Sequence, residues 1–234
     1  MAITLIPSTS RGGGDYGWLK TKYSFSFADY YDASRMGFGA LRVINDDWIA
    51  PNSGFGTHSH ENMEIITIPL VGTLTHKDSL GTEATIEAGE VQVMSAGTGI
   101  SHSEYNASVT EALELFQIWI EPKGYGIAPH YSQQRFAFEE HPNTLLPIIT
   151  PTGEGGTLSI YQDASLYLAE YTEAHTEQYP IASGHGVYLF VIEGKVSVGD
   201  HTLAKRDALS VTNEEKIEMV IEGGSRLLLI EVPL

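Results

Sequence analysis

Cysteine is absent from the chain. That removes disulfides, thiolate nucleophiles and cysteine-held metals, and leaves the redox compartment unread from thiols. Basic residues are scarce: 13 Lys and Arg stand against 30 Asp and Glu, for a net charge of −17. Binding to phosphates needs clustered Lys and Arg, so neither direct nucleic-acid binding nor attachment to an anionic membrane is expected. Long apolar runs are missing too, and no stretch approaches the ~20 apolar residues of a membrane span. The first seven residues lack the basic start of a secretory leader, so a cytoplasmic location is expected. Helical periodicity is also rare along the chain.

What is present is β-forming sequence cut by glycine. The 24 glycines punctuate runs of alternating apolar and polar residues, the texture of a closed β-barrel or jelly roll. At 234 residues the chain is one large β domain or two small ones, able to bury roughly 70% of its unfolded surface. Residues 11–17, Arg-Gly-Gly-Gly-Asp-Tyr-Gly, read as a loop, and residues 23–27 as a half-buried strand. Residues 38–45 read as a strand closed by a polar turn at Asn45-Asp46-Asp47. Strands are expected over residues 64–68, 72–78, 85–90, 91–94 and 113–120. The texture changes after Glu121-Pro122-Lys123-Gly124, and residues 131–136 suggest a short helical turn. Strand-like runs resume at 157–162, 166–171, 187–193, 195–198, 217–221 and 226–231. The second half repeats the texture of the first, so two stacked barrels are expected, residues 1–134 and 135–234.

The chain is organised around residues 54–64, Gly-Phe-Gly-Thr-His-Ser-His-Glu-Asn-Met-Glu, answered downstream by His102-Ser103-Glu104. Successive side chains of a strand alternate faces, so His58 and His60 project together, and so do His102 and Glu104. Two such strands facing each other inside a barrel place three imidazoles and one carboxylate around one point, a set suited to a divalent first-row metal. A lone His-x-His is more often a pair of surface histidines; the matching His/Glu pair separates this chain from that case. In the second half His175, His185 and His201 stand alone, and no metal is expected there.

His58-x-His60-x-x-x-Glu64 resembles the first motif of the cupin superfamily, and Gly99-x-x-His102-x-x-x-Asn106 the end of its second. Longer blocks resemble the pirin family of two-barrel cupins: Phe25-Ser26-Phe27-Ala28, residues 38–45, Gly54-Phe55-Gly56-Thr57-His58, His76-Lys77-Asp78-Ser79 and residues 94–104, with a weaker one at 159–164. The resemblance implies an all-β fold of two stacked cupin (jelly-roll) barrels. It implies one metal in the N-terminal barrel, held by His58, His60, His102 and Glu104. Glu64 fills the carboxylate position of the general cupin motif, but pirins take theirs from the later strand. Glu64 is therefore expected in the pocket, orienting a ligand.

Three neutral imidazoles and one carboxylate leave a divalent ion with a net charge of about +1, and octahedral coordination leaves two positions open. Such a site favours an enolate or phenolate and lowers the pKa of a bound hydroxyl. The resemblance implies a quercetin 2,3-dioxygenase-like activity on flavonols and O2, with Glu104 as ligand and candidate base. Fe(II) is the first expectation, and Ni, Cu, Mn and Zn accept the same ligand set. The competing expectation is a non-enzymatic transcription co-regulator of the pirin type, which binds a protein partner according to metal state.

Overall fold

The computed structural model describes residues 2–234. The strands of the first half are β1 (Ala2–Ile6), β2 (Gly12–Asp15), β3 (Leu19–Tyr23), β4 (Leu41–Ile49), β5 (Gly54–His60), β6 (Glu64–Val71), β7 (Thr73–Asp78), β8 (Glu83–Glu87), β9 (Glu90–Ser95), β10 (Ile100–Asn106), β11 (Leu113–Ile120) and β12 (His130–Arg135). Those of the second half are β13 (Leu146–Thr150), β14 (Leu158–Ser159), β15 (Ser165–Tyr171), β16 (His175–Pro180), β17 (His185–Glu193), β18 (Lys195–Val198), β19 (His201–Ala204), β20 (Ala208–Thr212), β21 (Lys216–Ile221) and β22 (Ser225–Pro233). Helix is confined, among the described residues, to two 3₁₀ turns, Ser8–Ser10 and Phe138–Glu140. Among the described residues no helix is long and apolar enough to cross a membrane.

The first barrel is a seven-stranded sheet, β12-β9-β6-β11-β4-β3-β2, curled against a four-stranded one, β5-β10-β7-β8. The second repeats this plan with β1-β20-β17-β22-β15-β13-β14 against β16-β21-β18-β19. Two stacked cupin barrels are thus present, as the sequence leads one to expect. The two seven-stranded sheets pack on each other, and the largest apolar cluster joins Ile66, Ile68, Phe116 and Ile118 to Phe190, Leu228 and Ile230. Both faces of the sheet are therefore covered, which is why β6 reads as an almost continuous apolar run.

Parity sorts each strand between the two faces. On β11, Phe116, Ile118 and Ile120 face the other barrel, while Gln117 and Trp119 line a cavity inside the first. On β4, Ile44 faces out, and Asn45 and Asp47 face in; a register shift between the Val43 and Leu41 pairings brings Leu41 to the outer face as well. The second barrel's interior is mostly apolar, from Tyr171 and Val187 to Leu229, with Glu231 buried beside Tyr179, whose hydroxyl donates to it.

The structure departs from the local sequence reading at five places. Asn45-Asp46-Asp47 is no turn: β4 runs through it, because Asp46 finds Arg11 at 3.3 Å and Arg206 at 3.2 Å and Asp47 enters the cavity. Tertiary partners override turn propensity. Residues 131–136 form no helical turn but lie mostly in β12, paired along β9 from His130↔Ser95 to Arg135↔Glu90. Gly12–Asp15 is not loop but an edge strand on β3; a Cβ on Gly12 would stand 2.4 Å from the Tyr30 ring, so glycine lets that ring lie on the strand. The expected strand at 23–27 ends at Tyr23, and that at 157–162 shrinks to Leu158–Ser159. Strand β1 also belongs to the second barrel's sheet, paired from Ala2↔Thr212 to Ile6↔Ala208.

Candidate metal centre

Three adjacent strands of the four-stranded sheet, β5-β10-β7, turn a grid of ionisable residues inward. Across the ladder His102 lies opposite His58 on one side and Asp78 on the other, and Glu104 lies opposite His76. A bulge between His102 and Glu104 shifts the register against β5, the kind of irregularity that re-aims side chains beside a site. Strand parity does the rest, stacking His58 over His60 and His102 over Glu104.

Among the described residues His58, His60 and His102 bring one ring nitrogen each within 4.8 Å of one another. Their ring centroids stand 4.5 Å (His58–His102), 4.8 Å (His58–His60) and 5.0 Å (His60–His102) apart. Nδ1 of His58 is 2.8 Å from the Gly56 carbonyl. A carbonyl only accepts, so Nδ1 carries the hydrogen and Nε2 presents its lone pair. Burial, then the neighbouring histidines, pushes His102 down to about 3. Burial and then His58 push His60 down to about 4. Both rings are neutral at ordinary pH, the form that binds a metal.

Glu104 comes next to this trio through His102; its carboxylate groups within 4.8 Å with His76 and His102. It is fully inside the barrel and held from two sides: Gln117 Nε2 donates to Oε2 at 2.9 Å and Thr67 Oγ1 donates to Oε1 at 3.3 Å. Burial pushes its carboxyl up to about 7, Asp47 adding to the effect and these hydrogen bonds opposing it.

Glu64 is not in this pocket, contrary to expectation. It occupies the opposite parity of β6 from Thr67, beside Ile66 and Ile68 of the inter-barrel core, and takes a 2.6 Å hydrogen bond from Ser95 Oγ. Orienting Glu104 falls to Thr67 and Gln117 instead. Sequence reasoning also missed His76 and Asp78 as part of the site. His76 Nε2 is 3.0 Å from Asp78 Oδ2, and its ring lies 5.3 Å from that of His102. The signal was legible, since His76-x-Asp78 has the same alternate spacing as His58-x-His60. In the second barrel His175 stands 3.7 Å from Glu177 and His185 Nε2 lies 3.0 Å from the Asp163 carbonyl.

The cluster opens into a cavity of about 450 Å³ walled by Trp18, Phe27, Phe55 and Trp119, with Asn45, Asp47, His58, His60, Glu104 and Gln117 in its lining. The test of whether these residues suit a metal is His102. It is 1% exposed, yet neither of its ring nitrogens has a hydrogen-bond partner. Buried polar atoms are nearly always satisfied, and a divalent ion shared with His58 and His60 would satisfy this one. The donor set fits.

Comparison with known proteins agrees with this geometry. Residues 7–120 match the Pirin family, and residues 147–232 match the quercetinase C-terminal cupin domain. The chain is 42% identical over 231 residues to a protein of Escherichia coli K12 named quercetin 2,3-dioxygenase, covering 99% of each chain. It is 40% identical over 226 residues to a pirin-like protein of Caulobacter vibrioides, covering 96% of this chain and 97% of the other. Among solved structures, the E. coli bacterial pirin YhhW in complex with nickel(II) superposes with a TM-score of 0.95 at 42% identity, over 99% of both chains. The chain belongs to the pirin family of two-barrel cupins.

Proposed function

We propose that this chain is a metal-dependent dioxygenase that opens the heterocycle of flavonols such as quercetin with O2. The observation that carries the reading is the unpartnered, buried His102 grouped with His58 and His60, the latter two lining, with Glu104, an aromatic-walled cavity. The E. coli relative named quercetin 2,3-dioxygenase supports the substrate class. His58, His60, His102 and Glu104 would hold one divalent ion, Fe(II) first and nickel(II), the ion of the E. coli structure, second. When bound, that ion supplies the charge that stabilises a deprotonated substrate hydroxyl and the redox partner for oxygen.

The chain's own residues do the remaining work. Trp18, Phe27, Phe55 and Trp119 offer flat faces to a planar aromatic and exclude water from it. Glu104, which must give up its own proton to hold the ion, would then be a carboxylate placed to take the proton of the substrate hydroxyl. Thr67 and Gln117 fix the direction of its oxygens, so the accepting lone pair is placed before substrate arrives.

Anaerobic loading with Fe(II), followed by oxygen-electrode measurements over a panel of flavonols, tests the proposal. Oxygen uptake with bleaching of the flavonol's long-wavelength absorbance is expected, and His58→Ala or His102→Ala abolishes both. A fully metallated wild type that leaves every flavonol untouched would move the reading to a metal-dependent regulator that binds a protein partner.

A further inference from the structure

Asp47 is the ionisable group in the cavity that the chemistry above leaves unused. It projects inward from β4 with Asn45, and both line the same cavity as His58, His60 and Glu104. Asp47 is 5% exposed and Asn45 4%, yet Oδ1 of each has no hydrogen-bond partner. Such acceptors are costly to bury, the charged one most of all. The nearby cations serve another residue: Arg11 and Arg206 both turn to Asp46 on the other face of the strand. Thr21 sits across the ladder from Asp47, but its hydroxyl also lacks a bond of good geometry. Burial pushes the Asp47 carboxyl up to about 7, eased by Thr21 and reinforced by Asp46.

The placement of these acceptors relative to the metal ligands is ordered. Asn45 pairs with Gln117, the residue that holds Glu104, and Asp47 pairs with Leu115 one step further along. Alternate residues on a strand lie about 6.7 Å apart, so the two acceptors mark a line leading away from Glu104. Trp18 and Phe55, whose rings meet edge-on at 5.1 Å, wall the same cavity. A planar ring system anchored at the metal ligands and lying against these aromatics would bring its far ring to Asp47.

We propose that Asp47, seconded by Asn45, reads hydroxyl groups on the substrate, so that the cavity takes polyhydroxylated aromatics in preference to the same ring system without them. The proposal rests on the flavonol reading above. A phenolic hydroxyl is a good donor and a carboxylate a strong acceptor. A site that bonds a substrate hydroxyl rejects the analogue lacking it far more sharply than an apolar pocket could, because the protein's own buried group is then left unpaired. In this role Asp47 is a specificity-determining residue.

The test is equilibrium binding to the full chain, loaded anaerobically with Ni(II). Quercetin is compared with 3-hydroxyflavone, which keeps the hydroxyl beside the carbonyl and lacks the others; quenching of tryptophan fluorescence reads the Kd. The wild type should favour quercetin by about tenfold or more, the strength of a hydrogen bond to a charged acceptor. Asp47→Leu should collapse that ratio towards unity while leaving the Kd for 3-hydroxyflavone within about twofold, since no contact to that ligand is lost. Asp47→Asn, which keeps the shape and an acceptor but not the charge, should fall between and guards against misfolding of the leucine variant. If both variants, replete in metal and with wild-type near-UV circular dichroism, retain the wild-type ratio, the hydroxyl-reading role is wrong while the flavonol reading stands. If the metallated wild type binds neither compound, the flavonol reading fails and this inference with it.

Discussion

At the scale of the residue, the site is a competition between burial and charge. Glu104 inside the barrel without a cation carries a carboxyl raised to about 7, above its ordinary value near 4.3. A folded-state pKa raised in this way contributes stability below the unfolded pKa, and that contribution is lost as pH rises through about 7. In the metal-free protein, Glu104→Gln, which cannot ionise, should therefore melt with the wild type near pH 4 and above it at pH 8. Thermal melts in chelator check this, and a glutamine variant less stable at pH 8 contradicts it. With metal present the order reverses. Apparent affinity should climb with pH as the proton on Glu104 is displaced, the Glu104 contribution flattening above about 7. His60 at about 4 and His102 at about 3 are already neutral there and add no slope. Chelator competition should show Glu104→Gln weakening metal retention by well over the change in Glu64→Gln, since Glu64 bonds Ser95 on the other face of β6. Alternation, together with the pirin resemblance, pointed to His58, His60, His102 and Glu104 in the sequence. It did not pick out Asp47, because Asn45-Asp46-Asp47 looks like a turn until Arg11 and Arg206, from distant parts of the chain, are seen to pair with Asp46.

At the scale of the element, the centre depends on β5 and β10 lying close together. A Cβ on Gly54 would sit 2.2 Å from the Glu104 carbonyl oxygen and 2.5 Å from the Tyr105 Cα, backbone atoms that cannot swing aside. Gly54→Ala should force the strands apart, cost about 1–3 kcal/mol of stability, and loosen the metal by roughly tenfold or more through the displaced ligands. Gly56→Ala is the control: its nearest neighbour would be the Tyr105 hydroxyl oxygen at 3.8 Å, an ordinary contact, and metal affinity should hold. Equal losses in the two variants, read by titration calorimetry and denaturant melts, would mean that strand proximity is not what assembles the site. Strands with an apolar side to bury were legible in the sequence: β11 and β18 have the bounds that alternation gives. Strand β12 was not, since His130–Arg135 carries no apolar pattern and is strand only because β9 offers it an open edge.

At the scale of the whole molecule, the largest apolar cluster belongs to neither barrel alone. Phe190 of the second packs on Phe116 of the first with centroids 5.0 Å apart, and the Arg11 guanidinium lies 5.0 Å over the same ring. Phe190→Ala should cost about 3–5 kcal/mol and shift one cooperative transition rather than split it in two. Calorimetry decides, and two separated transitions would contradict a shared core. The sequence shows two runs of barrel-forming strands, but not that their broad sheets face each other. Nor does it show that β1 joins the second barrel, because the partners of Ala2 and Ser8 are Thr212 and Asp207, some two hundred residues away. A fragment starting near residue 135 would lack β1 and bare the inter-barrel face, so metal stoichiometry is better measured on the full chain.

Isotope incorporation tests whether the cluster of His58, His60, His102 and Glu104 carries out dioxygenation. The metal-loaded chain is incubated with quercetin under ¹⁸O₂ and the ring-opened product is weighed by mass spectrometry. A product carrying both atoms of the same oxygen molecule is expected, formed by the wild type and not by His102→Ala. A product carrying one labelled atom or none, or equal labelling with His102→Ala, would contradict it.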